Sequence, residues 1–163
     1  MSVNKYKPHV LVIPEDDANR QLAIGFRLHH TVNARSVKIM TPAGGWHSVL
    51  EVFEEEYIPY LNAYSTAHVV LVVDFDDNEH RWEQCQQRIP ESVRSRVFVI
   101  GSRDEPETIR RDLQISLEQI GLLLAGDCHK DDFGLWRTPH FEHNSSELER
   151  LVAAVKPIVF QSQ

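Results

Sequence analysis

The sequence predicts an α/β protein built on a mostly parallel sheet of four or five strands, with helices on both faces. Short runs that are apolar or that alternate in polarity recur at residues 9–13, 36–40, 69–73 and 96–100, and these predict the strands. Segments with apolar residues at helical spacing separate the runs, so strands and helices alternate along the chain. Such alternation is typical of parallel strands joined by crossover helices.

The chain has the composition of a single globular domain. Its 163 residues are 42% hydrophobic and 25% charged, which is ordinary for such a domain. We expect residues 1–126 to form an α/β core, and residues 127–163 to add a polar loop, a helix and a tail packed on the same domain. The formal net charge of −7 argues against binding nucleic acid by bulk electrostatics alone. A metal-mediated contact or a basic partner subunit remains compatible with that charge.

The ends and the cysteines of the chain predict a cellular compartment. Residues 1–8 are polar and lack an apolar signal region, and no apolar run reaches the length of a membrane span. Cys85 falls in a helical pattern and Cys128 in a polar stretch that we interpret as a loop. We therefore expect a cytoplasmic protein without membrane contact, in which both thiols are free.

The first predicted strand, residues 9–13, is followed by acidic residues that include Glu15, Asp16 and Asp17. Apolar side chains at helical spacing begin at Ala18, so Asp16 or Asp17 is a natural N-cap for the first helix. Ligands of open α/β sheets bind outside the carboxyl ends of the strands. Acids at the end of this strand therefore indicate a candidate site.

The second predicted strand, residues 36–40, is followed by a turn that contains Gly44 and Gly45. These glycines could bring the backbone close to a ligand, although a role in the turn alone is the simpler interpretation. Apolar residues then recur at helical spacing from Trp46 to Tyr57, which predicts the second helix.

The third predicted strand, residues 69–73, is apolar throughout, as expected of a strand buried on both faces, and it leads into Asp74, Phe75 and Asp76. Side chains on either side of one residue in an extended strand point the same way, so we expect Asp74 and Asp76 to lie together at the rim of the sheet. Two carboxylates held that close repel each other unless a cation neutralises them, and hard divalent ions prefer oxygen ligands. A pair of solvated loop acids is the alternative.

The fourth predicted strand, residues 96–100, precedes an acidic loop and a single long amphipathic helix over residues 108–125, with Gly126 as its C-cap. We interpret residues 127–146 as a long loop, which is followed by a last helix. Residues 156–160 are predicted to form a short fifth strand or an extended tail that docks on a partner.

Glu15 after the first strand, and Asp74 and Asp76 after the third, resemble the metal-binding pattern of the Toprim domain. The resemblance covers residues 9–111 and includes the order and spacing of the elements between these acids. The family comprises the catalytic domains of topoisomerases, DnaG-type primases and OLD-family nucleases. The chain is most similar to small stand-alone Toprim-like proteins related to the OLD family.

The resemblance implies a metal-dependent phosphodiesterase, a nuclease that acts on DNA or RNA. It implies that Glu15, Asp74 and Asp76 are catalytic and hold Mg2+ or Mn2+, with Asp77 and Glu105 as supporting metal ligands. Phosphoryl transfer depends more on charge neutralisation and an activated nucleophile than on a covalent residue, which agrees with such a set. OLD-family relatives work beside ATPase domains, so the analogy implies an ATPase partner protein and a role in phage or plasmid defence. The oligomeric state stays open, and a homo-oligomer is compatible with the sequence.

Other interpretations stay open. A phosphorelay receiver also has acids after its first strand and an aspartate after its third. By residue type, a zinc site could form from Cys128, His129, His140 and His143, or these histidines could contact phosphate beside the carboxylates. The chain could also be a non-catalytic Toprim-like interaction module that works only in a complex and keeps its acids for structural reasons.

Overall fold

The computed structural model describes residues 3–160 and confirms the predicted α/β class. Its single sheet has four parallel strands, namely β1 (His9–Pro14), β2 (Val37–Ile39), β3 (Ala67–Val72) and β4 (Val97–Ile100). The strands lie in the order β2-β1-β3-β4. The chain therefore leaves β1 toward one side of the sheet for β2 and returns to the other side for β3. The strand order reverses between β1 and β3, and ligands of open α/β sheets bind at such points.

Helices cover both faces of the sheet, as predicted. They are α1 (Asp17–Leu28), α2 (Trp46–Val52), α3 (Ile58–Ala63), α4 (Glu79–Gln87), α5 (Pro106–Leu113), α6 (Leu117–Lys130) and α7 (Ser145–Val159). A π-helical turn, Phe53–Tyr57, connects α2 to α3. Within residues 3–160, no helix is both long enough and apolar enough to cross a membrane.

The sheet separates two hydrophobic cores. Val10 and Val12 of β1 belong to the core formed with α1, α6 and α7, whereas Leu11 and Ile13 belong to the core formed with α2, α3 and α4. Successive side chains of a strand point to opposite faces, so a strand buried on both faces must be apolar throughout. This requirement explains why the sequence predicted the strands well.

Helices α1 and α6 touch through their backbones. A Cβ atom on Gly25 of α1 would clash with the carbonyl oxygen of Glu118, and a Cβ atom on Gly121 of α6 would clash with that of Leu22. Only glycine permits such an approach, because it has no side chain. The two helices therefore pack as a unit on one face of the sheet.

The single helix predicted over residues 108–125 is wrong, because the segment forms two helices. Gln114 ends α5 in a left-handed conformation with φ of 56°. Ser116 then begins α6 with a capping box, in which its side chain and that of Gln119 satisfy each other's backbone N–H groups. Apolar periodicity continues across this break, so periodicity alone concealed it.

The predicted C-cap and loop after this helix are also wrong. Gly126 lies inside α6, next to the imidazole of His29, and the helix continues to Lys130. The loop predicted at residues 127–146 thus begins only after Lys130, and it contains two short 3-10 turns before α7. Cys128, predicted to lie in that loop, is a free and buried thiol of α6. Its apolar surroundings extend the helix beyond the point at which the sequence turns polar.

The fifth strand predicted at residues 156–160 is not formed. Helix α7 extends to Val159 and contains Pro157 near its end, where the missing proline N–H removes one helical hydrogen bond. Phe160 makes an isolated antiparallel bridge to Val32, and residues 161–163 lie outside the described part of the chain. Burial of Val155 and Val159 against the sheet stabilises the helix despite the proline.

Side chains near the start of α7 occupy the edge of β4 where a fifth strand would pair. The Glu147 carboxylate accepts the Val99 N–H at 3.0 Å, and the Asn144 amide accepts the Gly101 N–H at 3.1 Å. Asn144 also donates to the Gly101 carbonyl at 2.8 Å, so it reproduces both bonds of a strand residue. These contacts satisfy the backbone groups of an edge strand without a further strand.

Candidate functional site

Glu15 and Asp74 meet where β1 and β3 end. Backbone pairing of the two strands continues past the end of β1, since the Glu15 N–H donates to the Val72 carbonyl at 2.9 Å. Beyond it, the Glu15 carboxylate oxygen Oε2 accepts the N–H of Asp74 at 2.6 Å. The two residues that the sequence predicted to share a site are therefore in direct contact, at the point where the strand order reverses.

The loop between β2 and α2 surrounds Glu15. The N–H groups of Gly44 and Gly45 donate to the Glu15 carbonyl at 2.9 and 3.2 Å, and the Trp46 N–H bonds to the Glu15 carboxylate. Both glycines have positive φ values, 92° and 135°, which glycine adopts without strain. The glycines therefore position the turn, and their N–H groups face the protein.

Asn19 connects the two acidic segments. The Asp74 side chain is only 8% exposed, and its Oδ1 accepts a hydrogen bond from Asn19 Nδ2 at 2.9 Å. The same amide nitrogen donates to Asp16 Oδ1 at 3.0 Å. Asp16, one of the two N-caps that the sequence allowed, caps α1 and accepts the Asn19 N–H. The cap and the buried amide thus fix the positions of Asp16 and Asp74 together.

The carboxyl of Asp74 has a pKa well above that of an ordinary aspartate. Its pKa is raised from 3.8 to about 7, chiefly by burial and also by the charges of Glu15, Asp16 and Glu107, against the opposing effect of the Asn19 hydrogen bond. Burial also raises the pKa of Glu15, although its hydrogen bond from the Asp74 N–H opposes this change. At neutral pH the Asp74 carboxyl therefore populates both protonation states.

Asp76 does not share the environment of Asp74, and the extended geometry expected for this pair is wrong. Strand β3 ends at Val72, and both Asp76 and Asp77 have left-handed backbones with φ of 52°. The Asp76 side chain is 59% exposed and has its ionic contact with Arg81, at 3.5 Å. The alternation of side chains that holds in a strand has ended before this residue.

Arg81, in the first turn of α4, joins these two environments. Its guanidinium donates to the Asp74 carbonyl at 2.6 Å, approaches the Asp76 carboxylate, and lies 5.2 Å from the centre of the Trp46 ring. Its positive charge also lowers the pKa of Glu15. Arg81 was not predicted as a site residue, because nothing in its local spacing distinguishes it from an arginine on a helix surface.

The two predicted supporting ligands lie elsewhere. Asp77 is exposed, donates its backbone N–H to the Arg103 carbonyl at 2.8 Å, and lines a separate polar pocket. Glu105 is exposed at the N-cap position of α5. Glu107 of the same acidic loop is the residue whose charge acts on Asp74. The sequence analysis named Glu105, and nothing in the sequence indicated that Glu107 approaches β3.

The zinc site considered for Cys128 and three histidines is not formed. Cys128 is buried in the core, where burial raises its pKa to about 12, and a ring nitrogen of His143 bonds to the Gly101 carbonyl at 2.8 Å. A ring nitrogen of His140 lies 3.3 Å from the Asp112 carboxylate. Across residues 3–160, no group of three or more His, Cys, Asp or Glu side chains is arranged to hold a metal ion.

The donor atoms around Asp74 nevertheless suit a hard cation. Glu15 and Asp74 bring carboxylate oxygens together, the ligand type that Mg2+ prefers, and Mg2+ often takes only one or two protein carboxylates, with water and phosphate as its other ligands. The Oδ1 atom of Asn19 is buried and has no hydrogen-bond partner among the described residues. Burial is the main cause of the raised pKa of Asp74, and the charges of Glu15, Asp16 and Glu107 add to it. The donor types therefore suit a divalent ion held by two carboxylates, whereas no group of three such side chains is arranged for one within residues 3–160.

Comparisons of the chain with protein-family models, with curated proteins and with solved structures find no match. The Toprim resemblance therefore stays an interpretation of the sequence. The chemistry of the residues around Asp74 is the basis on which a function can be proposed.

Proposed function

We propose that the chain is a metal-dependent phosphodiesterase that cleaves nucleic acid, with its active site at Glu15 and Asp74. The observation that carries this proposal is the contact between Glu15 Oε2 and the Asp74 N–H at 2.6 Å, beside a buried Asp74 carboxyl whose pKa is about 7. The contact lies at the carboxyl ends of the strands, where the strand order reverses. The resemblance of this part of the sequence to Toprim nucleases supports the same activity.

Asp74 would change its charge when a metal binds. Its carboxyl is protonated in part near neutral pH, and a divalent ion would lower its pKa and ionise it. Asn19 donates to Asp74 Oδ1 at 2.9 Å and so fixes the orientation of the carboxyl. Glu15 is fixed by two backbone N–H groups and so keeps its orientation while Asp74 changes protonation state.

A divalent ion, Mg2+ or Mn2+, would be held by Glu15 and Asp74, and water and the substrate phosphate would complete its coordination, because residues 3–160 present no group of three metal-ligating side chains. When bound, such an ion neutralises phosphate charge during phosphoryl transfer. On this proposal Asp76 has an indirect role, since its carboxylate contacts Arg81, whose guanidinium holds the Asp74 carbonyl.

The charge of the protein indicates how a nucleic acid would be held. With a formal net charge of −7, the chain would repel DNA or RNA unless a cation or a basic surface offsets the repulsion. This supports a contact made through the bound metal, and it also supports a separate partner protein. The analogy with OLD-family nucleases suggests that the partner is an ATPase and that the pair acts in defence.

A second candidate function is a non-catalytic interaction module that works only in a complex. The observation in its favour is that residues 3–160 contain no group of three metal-ligating side chains. In this case Glu15, Asp16 and Asn19 would serve to join β1, α1 and β3. The two candidates differ in one measurable property, since only the first requires metal-dependent cleavage.

The test combines calorimetric titration of Mg2+ and Mn2+ with cleavage assays on plasmid DNA, single-stranded DNA and RNA. We would compare the unchanged protein with Asp74→Asn and with the matched variant Asp76→Asn. The proposal predicts metal-dependent cleavage that Asp74→Asn lowers by about 100-fold or more, because a carboxylate ligand of the metal is lost. Asp76→Asn should lower cleavage far less, since its carboxylate is exposed and acts through Arg81.

Each outcome separates the candidates. Metal binding and cleavage that both depend on Asp74 would support the phosphodiesterase. If the unchanged protein neither binds these metals nor cuts any of the three substrates, the phosphodiesterase proposal is wrong. The interaction module is then the better proposal. An equal loss of cleavage in Asp74→Asn and Asp76→Asn would show that both aspartates act in the site, as the sequence predicted.

A further inference from the structure

We propose that a cavity between the sheet and helices α1, α6 and α7 binds a small, uncharged, apolar molecule. The cavity has a volume of about 120 Å3. Its floor is formed by β1 and β3, through Val10, Val12, Val70 and Val72. This inference is independent of the phosphodiesterase proposal, because none of the carboxylates around Asp74 lines the cavity.

The walls identify the chemistry of the ligand. The lining side chains are apolar apart from Lys156, whose ammonium is paired with the Asp131 carboxylate at 2.8 Å. The indole N–H of Trp136 is also engaged, since it donates to the Leu124 carbonyl at 3.0 Å. The walls therefore lack a free partner for a charged or hydrogen-bonding group, and such a group would lose its hydration without compensation.

The helices that surround the cavity are anchored away from it, so the space is not closed by collapse. Helix α1 is held to α6 through the glycine contacts at Gly25 and Gly121. Helix α7 is held at the far edge of the sheet, where Asn144 and Glu147 bond to β4. Between these two anchors lies the face formed by β1 and β3, whose buried valines line the cavity.

The size and the apolar lining of the cavity set an upper limit on the ligand. Protein interiors are normally packed as densely as organic crystals, so a void of this size is uncommon. Cavities of about 150 Å3 lined by aliphatic and aromatic side chains stay free of water and accept benzene or xenon. A cavity of about 120 Å3 therefore fits a hydrocarbon-like molecule of benzene's size or smaller.

Xenon and benzene are the probes for this proposal, applied to the full chain. With isotope-labelled methyl groups, xenon should produce saturable chemical-shift changes at Val70, Leu124 and Val155, which line the cavity. Leu71 and Leu50 belong to the opposite core and should not respond. Benzene should raise the melting temperature, because it binds the folded state alone.

A pair of matched substitutions tests the location. Ala23→Met places a longer side chain in the cavity, whereas Ala153→Met makes the same change at an exposed position of α7. We expect xenon binding to weaken at least tenfold in Ala23→Met and to be unchanged in Ala153→Met. Val152→Phe, on the opposite wall, is the second filling variant if Ala23→Met does not fold.

Three results would overturn the proposal. They are the absence of xenon shifts in the unchanged protein, equal shifts in both cores, and xenon binding that persists unchanged in the folded filling variant. Saturable shifts confined to the methyl groups around the cavity, and abolished by filling it, would establish the site.

Discussion

Asp74 and Asp76 flank one residue in the chain, yet the fold gives them opposite environments. Asp74 is buried, bonded to Asn19, and has a pKa raised to about 7. Asp76 is exposed, has a left-handed backbone, and has its ionic contact with Arg81. The difference shows that two acids close together in the sequence need not lie in one site of the folded protein.

Phe75 explains how the two environments separate. Its side chain is buried, and its N–H donates to the Ser102 carbonyl at 3.1 Å, so the backbone there is still held against the end of β4. Immediately afterwards Asp76 and Asp77 adopt positive φ values and turn the chain outward. The boundary between buried and exposed acid thus lies where the backbone becomes left-handed after Phe75, although the Asp77 N–H still donates to the Arg103 carbonyl.

The largest expected effect is the response of Asp74→Asn to pH. The folded-state pKa of Asp74 lies above its ordinary 3.8, so ionisation disfavours the folded state, and stability falls as pH rises from about 4 through about 7. That difference in pKa corresponds to about 4 kcal/mol. At a pH of about 8, Asp74→Asn should raise the free energy of unfolding by up to about 4 kcal/mol relative to the unchanged protein. At a pH of about 4, it should change that free energy little.

Urea denaturation across this pH range measures the effect. Asp76→Asn is the matched control, because asparagine tolerates the left-handed conformation and the carboxylate is exposed. It should change the free energy of unfolding by no more than about 0.5 kcal/mol. Identical pH profiles for the two variants would show that the two acids do not differ as described.

The second effect is the loss of the amide that joins the acids. Asn19→Ala removes the donor shared by Asp16 and Asp74 and leaves the buried Asp74 carboxyl unpaired. We expect a loss of about 2–3 kcal/mol in the free energy of unfolding, measured by urea denaturation at neutral pH. The control Asn78→Ala removes an exposed helix cap, and it should cost about 1 kcal/mol.

A smaller effect is expected at the residue that joins the two environments. Arg81→Met removes the bond to the Asp74 carbonyl and should cost about 1–2 kcal/mol, since the guanidinium is only 18% exposed. A double-mutant cycle with Asp76→Asn should find a coupling below about 1 kcal/mol, because the Asp76 partner is exposed. A larger coupling would mean that Asp76 contributes to the buried site through Arg81.

The smallest effect concerns the backbone of the turn. Asp76→Gly should change the free energy of unfolding by about 0.5 kcal/mol or less, because glycine adopts φ of 52° freely. Asp76→Val should cost about 1 kcal/mol or more, since a β-branched residue is strained there. Thermal denaturation of the two variants distinguishes them, and equal stability would argue against a left-handed turn.

Much of the fold could be predicted because it depends on short-range patterns. Apolar runs predicted β1, β3 and β4, an alternating run predicted β2, and Asp16 or Asp17 was expected to cap α1, so local sequence was sufficient for these features. The break between α5 and α6 escaped prediction because apolar spacing continues across Gln114. The end of α7 escaped because burial of Val159 outweighs the presence of Pro157.

The candidate site could be predicted only in part, for a related reason. Glu15 and Asp74 follow strands that are neighbours in a parallel sheet, so strand order alone brings them together. Asn19, Trp46 and Glu107 reach the site from separate segments, and no spacing in the sequence reveals that convergence.

The sequence by itself determined the class of the fold, the four strands, and the meeting of Glu15 with Asp74, because burial of apolar runs and parallel pairing leave few alternatives. Tertiary structure alone decided that Asp74 is buried and protonated in part, and that Asp76 is solvated. Electrostatic environment depends on which distant groups surround a side chain, and the backbone beyond a strand end is free to turn away. Adjacent acids could therefore acquire different chemistry.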